Sequence, residues 1–262
     1  MTLKIVVLSD LHIVRDGQTS VTLDTAERLR TGVAAINARH ADADFVAIAG
    51  DLADLGEREA YLRLRDILAD LAVPVHITIG NHDNRETFLD VFGAGLASPT
   101  GFVDKVIDIK GYRVILLDSA IEPPRHDGRL EQVQLDWLRD RLAEATDRPV
   151  IVILHHHANP LRTAVDNIIL RNGPAFADVL GTHPDIRQVI AGHVHFASTA
   201  TWRGIAFTTI AGSHYSVTIP LGEPAPAPQE LWGPAQMGVI LADADHTLVH
   251  FDNYLDGNAA LP

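Results

Sequence analysis

Five short apolar runs in this chain end in the same kinds of residue. Ile5–Leu8 is followed by Asp10-Leu11-His12, Phe45–Ala49 by Gly50-Asp51-Leu52-Ala53-Asp54, and Val75–Ile79 by Gly80-Asn81-His82-Asp83. Val150–Leu154 leads into His155-His156-His157, and Val189–Ala191 into Gly192-His193-Val194-His195. Carboxylate, carboxamide and imidazole are hard to borderline donors. Without sulfur they suit Mn, Fe, Co or Zn and make copper(I) or iron–sulfur sites implausible. There are too many donors for one ion, and a carboxylate has two oxygens with which to bridge. A pair of divalent or trivalent metal ions is the natural solution.

Spacing supports convergence. In extended backbone, residues i and i+2 point the same way, so Asp10 with His12, and His193 with His195, would each aim two ligands at one point. Gly50, Gly80 and Gly192 sit where the chain must leave a strand sharply or admit an ion to the backbone. Each segment alone is ordinary turn chemistry. Five in succession, each ending a buried run, are not.

The elements that must position these residues follow from periodicity. The apolar runs, together with Val114–Leu117, are brief and rich in branched residues, the pattern of strands buried on both faces. Leu23, Ala26, Leu29, Val33 and Ile36 recur at helical spacing, as do Tyr61, Leu64, Leu68 and Leu71. A third helix starts near Leu130 and carries Leu135, Trp137, Leu138 and Leu142. This alternation predicts βαβ units, with ligands gathered beyond the carboxyl ends of the strands. After about Gln188, Ile205–Ile210, Gly238–Leu241 and Leu248–Phe251 read as strands of a second, more antiparallel sheet. Residues 220–234 hold five of the fourteen prolines and read as a loop, with a flap over the site or an oligomer contact as alternatives. A single domain over residues 1–262 is expected, its catalytic core about 1–212 and its C-terminal part 213–262 a Pro-rich loop with closing strands.

The 262 residues carry 21 Lys plus Arg against 34 Asp plus Glu, a net charge of −13. So acidic a surface argues against nucleic-acid polymers and anionic membranes, while leaving room for a small anion drawn in by metal. The absence of cysteine excludes disulfides, thiolate sites and cysteine nucleophiles. The first apolar run is too short for a signal sequence, and the default expectation is a cytoplasmic protein. There are 14 histidines against 4 tyrosines and 3 tryptophans.

The order Asp-x-His, Gly-Asp-x-x-Asp, Gly-Asn-His-Asp, His-His, Gly-His-x-His resembles the calcineurin-like metallophosphoesterase superfamily. It is most similar to the class III cyclic nucleotide phosphodiesterase and glycerophosphodiesterase branch. Gly128-Arg129-Leu130 through Gln134-Leu135-Asp136-Trp137-Leu138 is similar to a further stretch of that branch. The resemblance implies an α/β fold, a four-layer αββα sandwich with two mixed β-sheets. It implies one metal on Asp10, His12, Asp51 and His195, and a second on Asn81, His155, His193 and the bridging Asp51. It also implies dimers or larger homo-oligomers, for which the Pro-rich stretch and Trp232 are available. Where the family often continues His-His as Pro-Pro, this chain has His157-Ala158-Asn159-Pro160, so the branch's substrate residues beyond that point do not carry over.

A metal pair roughly 3.5–4 Å apart would present hydroxide at neutral pH for in-line attack on phosphorus. The catalytic candidates are His82, to stabilise or protonate the leaving alkoxide, and the bridging Asp51. Neutral Asn81 replaces a carboxylate in the second metal site, so weaker occupancy is expected there. Asp54 and Asp83 are expected to orient ligands. His82, His156 and His214 are the substrate-side candidates, with packing as the alternative for His156. His157 is grouped with His156, and His76 reads as a core or sheet residue. The protein phosphatase branch carries an arginine after Gly-Asp-x-x-Asp; Leu55 stands there here, which favours a singly charged diester over a doubly charged monoester. Arg85, Arg125 or Arg162 could enter from elsewhere. Three readings stay open: a phosphodiesterase acting on cyclic nucleotides or small glycerophosphodiesters, a phosphomonoesterase or nucleotidase, and a metal-binding scaffold without catalysis.

Overall fold

The computed structural model describes residues 1–121, 126–222 and 224–255. Strands β1 (Leu3–Leu8), β2 (Phe45–Ala49) and β3 (Val75–Thr78) run parallel. They belong to a five-stranded sheet completed by β12 (Ala235–Ala242) and β13 (Thr247–Leu255), in the order β13-β12-β1-β2-β3. The second sheet has the order β4-β5-β6-β7-β9-β8. Its members are β4 (Lys105–Ile109), β5 (Tyr112–Leu117), β6 (Val150–Leu154), β7 (Ile186–Ala191), β8 (Ser198–Trp202) and β9 (Ile205–Thr209). A two-stranded ribbon, β10 (Ser216–Val217) with β11 (Glu230–Leu231), brackets the Pro-rich segment.

Alternation along the strands builds the layers. Ile5, Val7, Phe45 and Ala47 face Val114, Leu116, Ile151 and Ile153 of the other sheet. The intervening Val6, Leu8, Val46 and Ile48 face α1 (Thr25–Arg39), α2 (Arg58–Leu68) and α3 (Arg85–Phe92). Across the molecule, Ile115, Leu117, Val152 and Leu154 face α4 (Gln132–Ala143) and α5 (Gly173–Leu180). The result is a four-layer αββα sandwich with two mixed sheets. Helix α1 begins where Asp24 accepts from the Glu27 amide, and its stripe Ala26, Leu29, Val33, Ile36 is buried.

Two expectations are corrected. The second sheet does not begin after Gln188: β5 and β6, expected in the first sheet, belong to the second, and β12 and β13 return to the first beside β1. The pairing of Leu3 with Ala242 is a long-range choice that local periodicity cannot report. The apolar run Val75–Ile79 predicts a strand buried on both faces. Instead β3 is an edge strand, and Val75, His76 and Ile77 are half-buried.

The segment similar to the class III branch has a structural job. Gln134, fully buried on α4, donates to Asp104 (3.0 and 3.2 Å) and to the Asp118 carbonyl (2.7 Å). Asp104 also accepts from the Asp118 amide and Thr100 Oγ1, and Asp118 pairs with Arg85 at 2.7 Å. Burial, then the neighbouring Asp118, push the Asp104 carboxyl up to about 7 despite its donors. Its raised value means the folded protein holds a proton that the unfolded chain releases from about pH 4 upward. This contribution to stability is present below pH 4 and lost as pH rises through 7. Asp104→Asn is expected to flatten that part of the melting temperature against pH profile, measured by circular dichroism between pH 5 and 8; an unchanged slope would contradict the assignment.

Candidate metal centre

Strands of both sheets end at one place. β1 delivers Asp10 and His12, β2 Asp51, β3 Asn81 and His82, β6 His155, and β7 His193 and His195. Asp10 Oδ1 lies 3.3 Å from His195 Nε2, and Asp10, His12 and His195 bring their ligand atoms together. Asp51 Oδ2 lies 3.6 Å from His12 Nε2 and 3.3 Å from His155 Nε2, between two groups of donors. His155 Nε2 is in turn 3.1 Å from Asn81 Oδ1 and 3.1 Å from His193 Nδ1.

Each ring is oriented by its other nitrogen. His155 Nδ1 donates to the Ala49 carbonyl (2.8 Å), His193 Nε2 to Ile168 (3.1 Å), His195 Nδ1 to Tyr215 (2.9 Å) and His82 Nδ1 to Asp54 (2.7 Å). His12 Nδ1 is held by the Asp54 carboxylate at 3.1 Å. These partners fix tautomers so that a basic nitrogen of each ring is left for the site. Asp83 accepts from the amides of Gly80, Leu52 and Ala53 and from Tyr61 Oη (2.8–3.1 Å), pinning the loop after β3 to the loop after β2.

The electrostatics ask for a cation. Asp10 and Asp51 are buried, and among the described residues neither has a lysine or arginine within ion-pair distance. Burial opposes the charge on His155, yet Asp51 and Asp10 push its pKa up to about 9. Burial likewise disfavours the Asp51 anion, and the surrounding imidazoles reverse this and hold it well below the usual carboxylate range. Burial keeps His193 neutral, the form a metal requires. His12 Nε2 is buried with no hydrogen-bond partner. Metal ions fit this donor set.

The backbone here is not extended. Asp10, His12, Asp51, His193 and His195 adopt left-handed conformations with φ of 57°, 45°, 50°, 74° and 56°. The two Asp-x-His and His-x-His pairs therefore converge through tight turns, and the alternation expected of a strand is not the cause. The glycines, too, differ from expectation. Only Gly50 of the three has positive φ. A side chain on Gly80 would collide with Asp51 Oδ1, and one on Gly192 with Ser9 Oγ and Asp10. These glycines make room for the ligands themselves.

The family model for calcineurin-like phosphoesterases matches residues 3–197. The chain belongs to this family. A probable cyclic nucleotide phosphodiesterase of Rhodopseudomonas palustris is 35% identical over 95% of this chain and 91% of its own length. A probable glycerophosphodiester phosphodiesterase of Arcobacter nitrofigilis is 29% identical over 85% and 83%. Among solved structures, a dimetal phosphatase from Danio rerio shares the fold with a TM-score of 0.66 at 20% identity, covering 94% of this chain and 98% of its own.

Not every expected residue reaches the cleft of this calcineurin-like phosphoesterase. His82 lines it; His156 and His214 do not. His156 is fully buried, with Nδ1 against Ser119 Oγ (2.7 Å) and its ring beneath Gly128. His214 is buried with Nε2 on the Ser20 carbonyl (3.0 Å) and its ring 5.0 Å from His12. Both are buried, as is His157, and a ring nitrogen of His156 lies within 4.8 Å of those of His155 and His193. Arg85 is engaged by Asp118, Arg162 is not among the cleft residues, and Arg125 lies outside the described residues. Sequence reasoning missed Tyr215, whose ring lies 4.3 Å from that of His195, and His126, 6.3 Å from His82. It also missed the apolar wall of Val165, Ile168, Val194, Val217 and Pro228. No local signal marks that wall, because its members come from four separate segments. Among the described residues, no helix is long and apolar enough to cross a membrane.

Proposed function

We propose that this phosphoesterase hydrolyses small phosphodiesters and that a cyclic nucleotide fits its cleft better than a glycerophosphodiester. The chain is a phosphoric diester hydrolase. The observation that carries the reading is a cleft lined by carboxylate, carboxamide and imidazole together with the hydrocarbon of Val165, Ile168, Val194, Val217 and Pro228. No arginine or lysine lines it among the described residues, which suits a singly charged phosphate. The apolar side and Tyr215 suit the flat face of a base better than a glycerol, whose hydroxyls would find few partners there.

Asp10, His12, Asp51 and His195 would hold one metal ion, and Asp51 with Asn81, His155 and His193 the other, drawn from Mn, Fe, Zn or Co. Bound there, the pair supplies a water acidified toward neutral pH and neutralises phosphoryl oxygens. Asp51 would serve both positions, and its Oδ1 accepts from the His82 amide (2.9 Å), tying the proton donor to that carboxylate. With Nδ1–H committed to Asp54, His82 uses Nε2 to deliver a proton to the departing oxygen. Burial alone would make this ring less basic; Asp51 and Asp54 raise its pKa, favouring the protonated form. A cytoplasmic setting belongs to the same reading, since a cysteine-free chain needs no oxidising compartment. Self-association is part of it as well: Ile219, Leu221, Leu231 and Trp232 give the Pro-rich arm an exposed apolar surface.

The test is ³¹P NMR of the Mn²⁺-reconstituted protein with equimolar cyclic AMP and a glycerophosphodiester. The cyclic AMP resonance should disappear first. Prior loss of the glycerophosphodiester would overturn the preference, and survival of both would overturn the activity.

A further inference from the structure

Away from the metal centre, β3 and β4 each form one edge of their sheets, and the side of the sandwich they share holds a cavity of about 330 Å³. Leu68, Val75, Ile77, Phe92, Leu96 and Val103 give it hydrocarbon walls. Of these, Val75, Ile77, Phe92 and Leu96 pack on the main helix–sheet core yet remain half-buried, because nothing from the described chain fills the space beside them. Interiors close-pack, so apolar side chains left facing a cavity of this size forgo contacts that an apolar occupant would restore.

The polar end of the cavity carries a charge without a counterion. The chain has three lysines among 34 acidic residues. Lys4 pairs with Asp42 and Lys110 with Asp44. Lys105 pairs with no carboxylate among the described residues; its ammonium donates to His76 Nδ1 at 2.9 Å. Burial and then the charge of Lys105 lower the pKa of His76 to about 4, so the imidazole is neutral and its Nε2–H remains a donor. Burial lowers the pKa of Lys105 itself, as expected of an ammonium drawn from water without an anion in return. Arg65 at the rim has Asp66 beside it at 3.2 Å. In a protein of net charge −13, a lone half-buried lysine at the mouth of an apolar cavity complements an anion with a hydrocarbon tail.

We propose that this cavity binds an alkyl monocarboxylate, the carboxylate on Lys105 and His76 and the chain among Ile77, Phe92 and Leu96. The volume is roughly twice that of a 150 Å³ apolar cavity that accommodates benzene, which sets the chain at about ten carbons. The cavity lies on the strand that runs on into Gly80 and Asn81, and is separate from the residues that line the metal cleft.

Isothermal titration of the metal-loaded full chain with decanoate, and with decanol as the uncharged control, tests this. Decanoate should bind with 1:1 saturation and decanol at least about tenfold more weakly. Lys105→Met should bring the two to equal affinity with an unchanged melting temperature. Ala69→Trp, which plugs the exposed rim, should weaken both. The proposal fails if decanoate shows no saturable binding. It also fails if Lys105→Met leaves decanoate unaffected, or if Ala69→Trp does, since the carboxylate would then sit on the metal centre or elsewhere. Sedimentation velocity covers the remaining occupant: a dimer that dissociates on Ala69→Trp and does not bind decanoate would show that a second copy fills the cavity.

Discussion

Replacing Asp51 by alanine should lower kcat/KM for phosphodiester hydrolysis by at least about 10³-fold and reduce bound metal below one ion per chain. Asp51 Oδ2 faces both groups of donors, 3.6 Å from His12 Nε2 and 3.3 Å from His155 Nε2. It also accepts the backbone amide of His82 through Oδ1, so its loss would free the proposed proton donor along with any bound ions. Elemental analysis of the purified variant, beside steady-state kinetics, separates the two effects. A variant that kept two ions and lost less than tenfold in rate would remove Asp51 from the bridging position. Asp51→Asn should fall between the wild type and Asp51→Ala, since its amide keeps the shape of the site and loses its charge.

The second large effect depends on the substrate. His82→Ala should cost about 10²–10⁴-fold in kcat for cyclic AMP, whose leaving group is a ribose alkoxide that needs a proton. For bis(p-nitrophenyl) phosphate the loss should stay under about tenfold, because a nitrophenolate departs unassisted. The alternative is an imidazole that only packs, and the edge-on contact with His12 at 4.6 Å gives that reading its geometry. Packing alone predicts equal losses for both substrates. Measuring the ratio of the two kcat values decides between them, and equal losses would end the acid role.

Much of this centre is legible in the chain because its candidate ligands follow one apolar run after another. One aspartate, asparagine or histidine after a buried apolar run is ordinary turn chemistry, but five such endings in succession are not. The legible part stops where long-range pairing starts. Nothing near Leu3 says that its neighbour is Ala242, so the membership of the two sheets could not be read from periodicity. β4, Lys-Val-Ile-Asp-Ile, alternates too briefly to stand out, and it was missed. His156 and His214 are as buried as the candidate ligands, and partners distant in sequence hold their rings away from the cleft lining. One is set by Ser119 and the other by the Ser20 carbonyl, 194 residues away in sequence. Tyr215 follows a residue that was singled out, but its role rests on a ring contact with His195 that only the turn after β9 creates.

The left-handed backbone at Asp10, His12, Asp51, His193 and His195 reaches beyond strain. Among residues with a side chain, asparagine, aspartate and histidine enter that region most readily, while branched and bulky residues are nearly excluded. Natural variation at these five positions is therefore filtered twice, first by what a turn tolerates and only then by what a metal accepts. The alphabet that passes the first filter is almost the same as the ligand alphabet, with glycine added. Drift away from activity is channelled accordingly. A descendant that stopped binding metal would most readily keep its fold with asparagine or glycine at these sites, and its lost chemistry would stay visible as a row of turn residues.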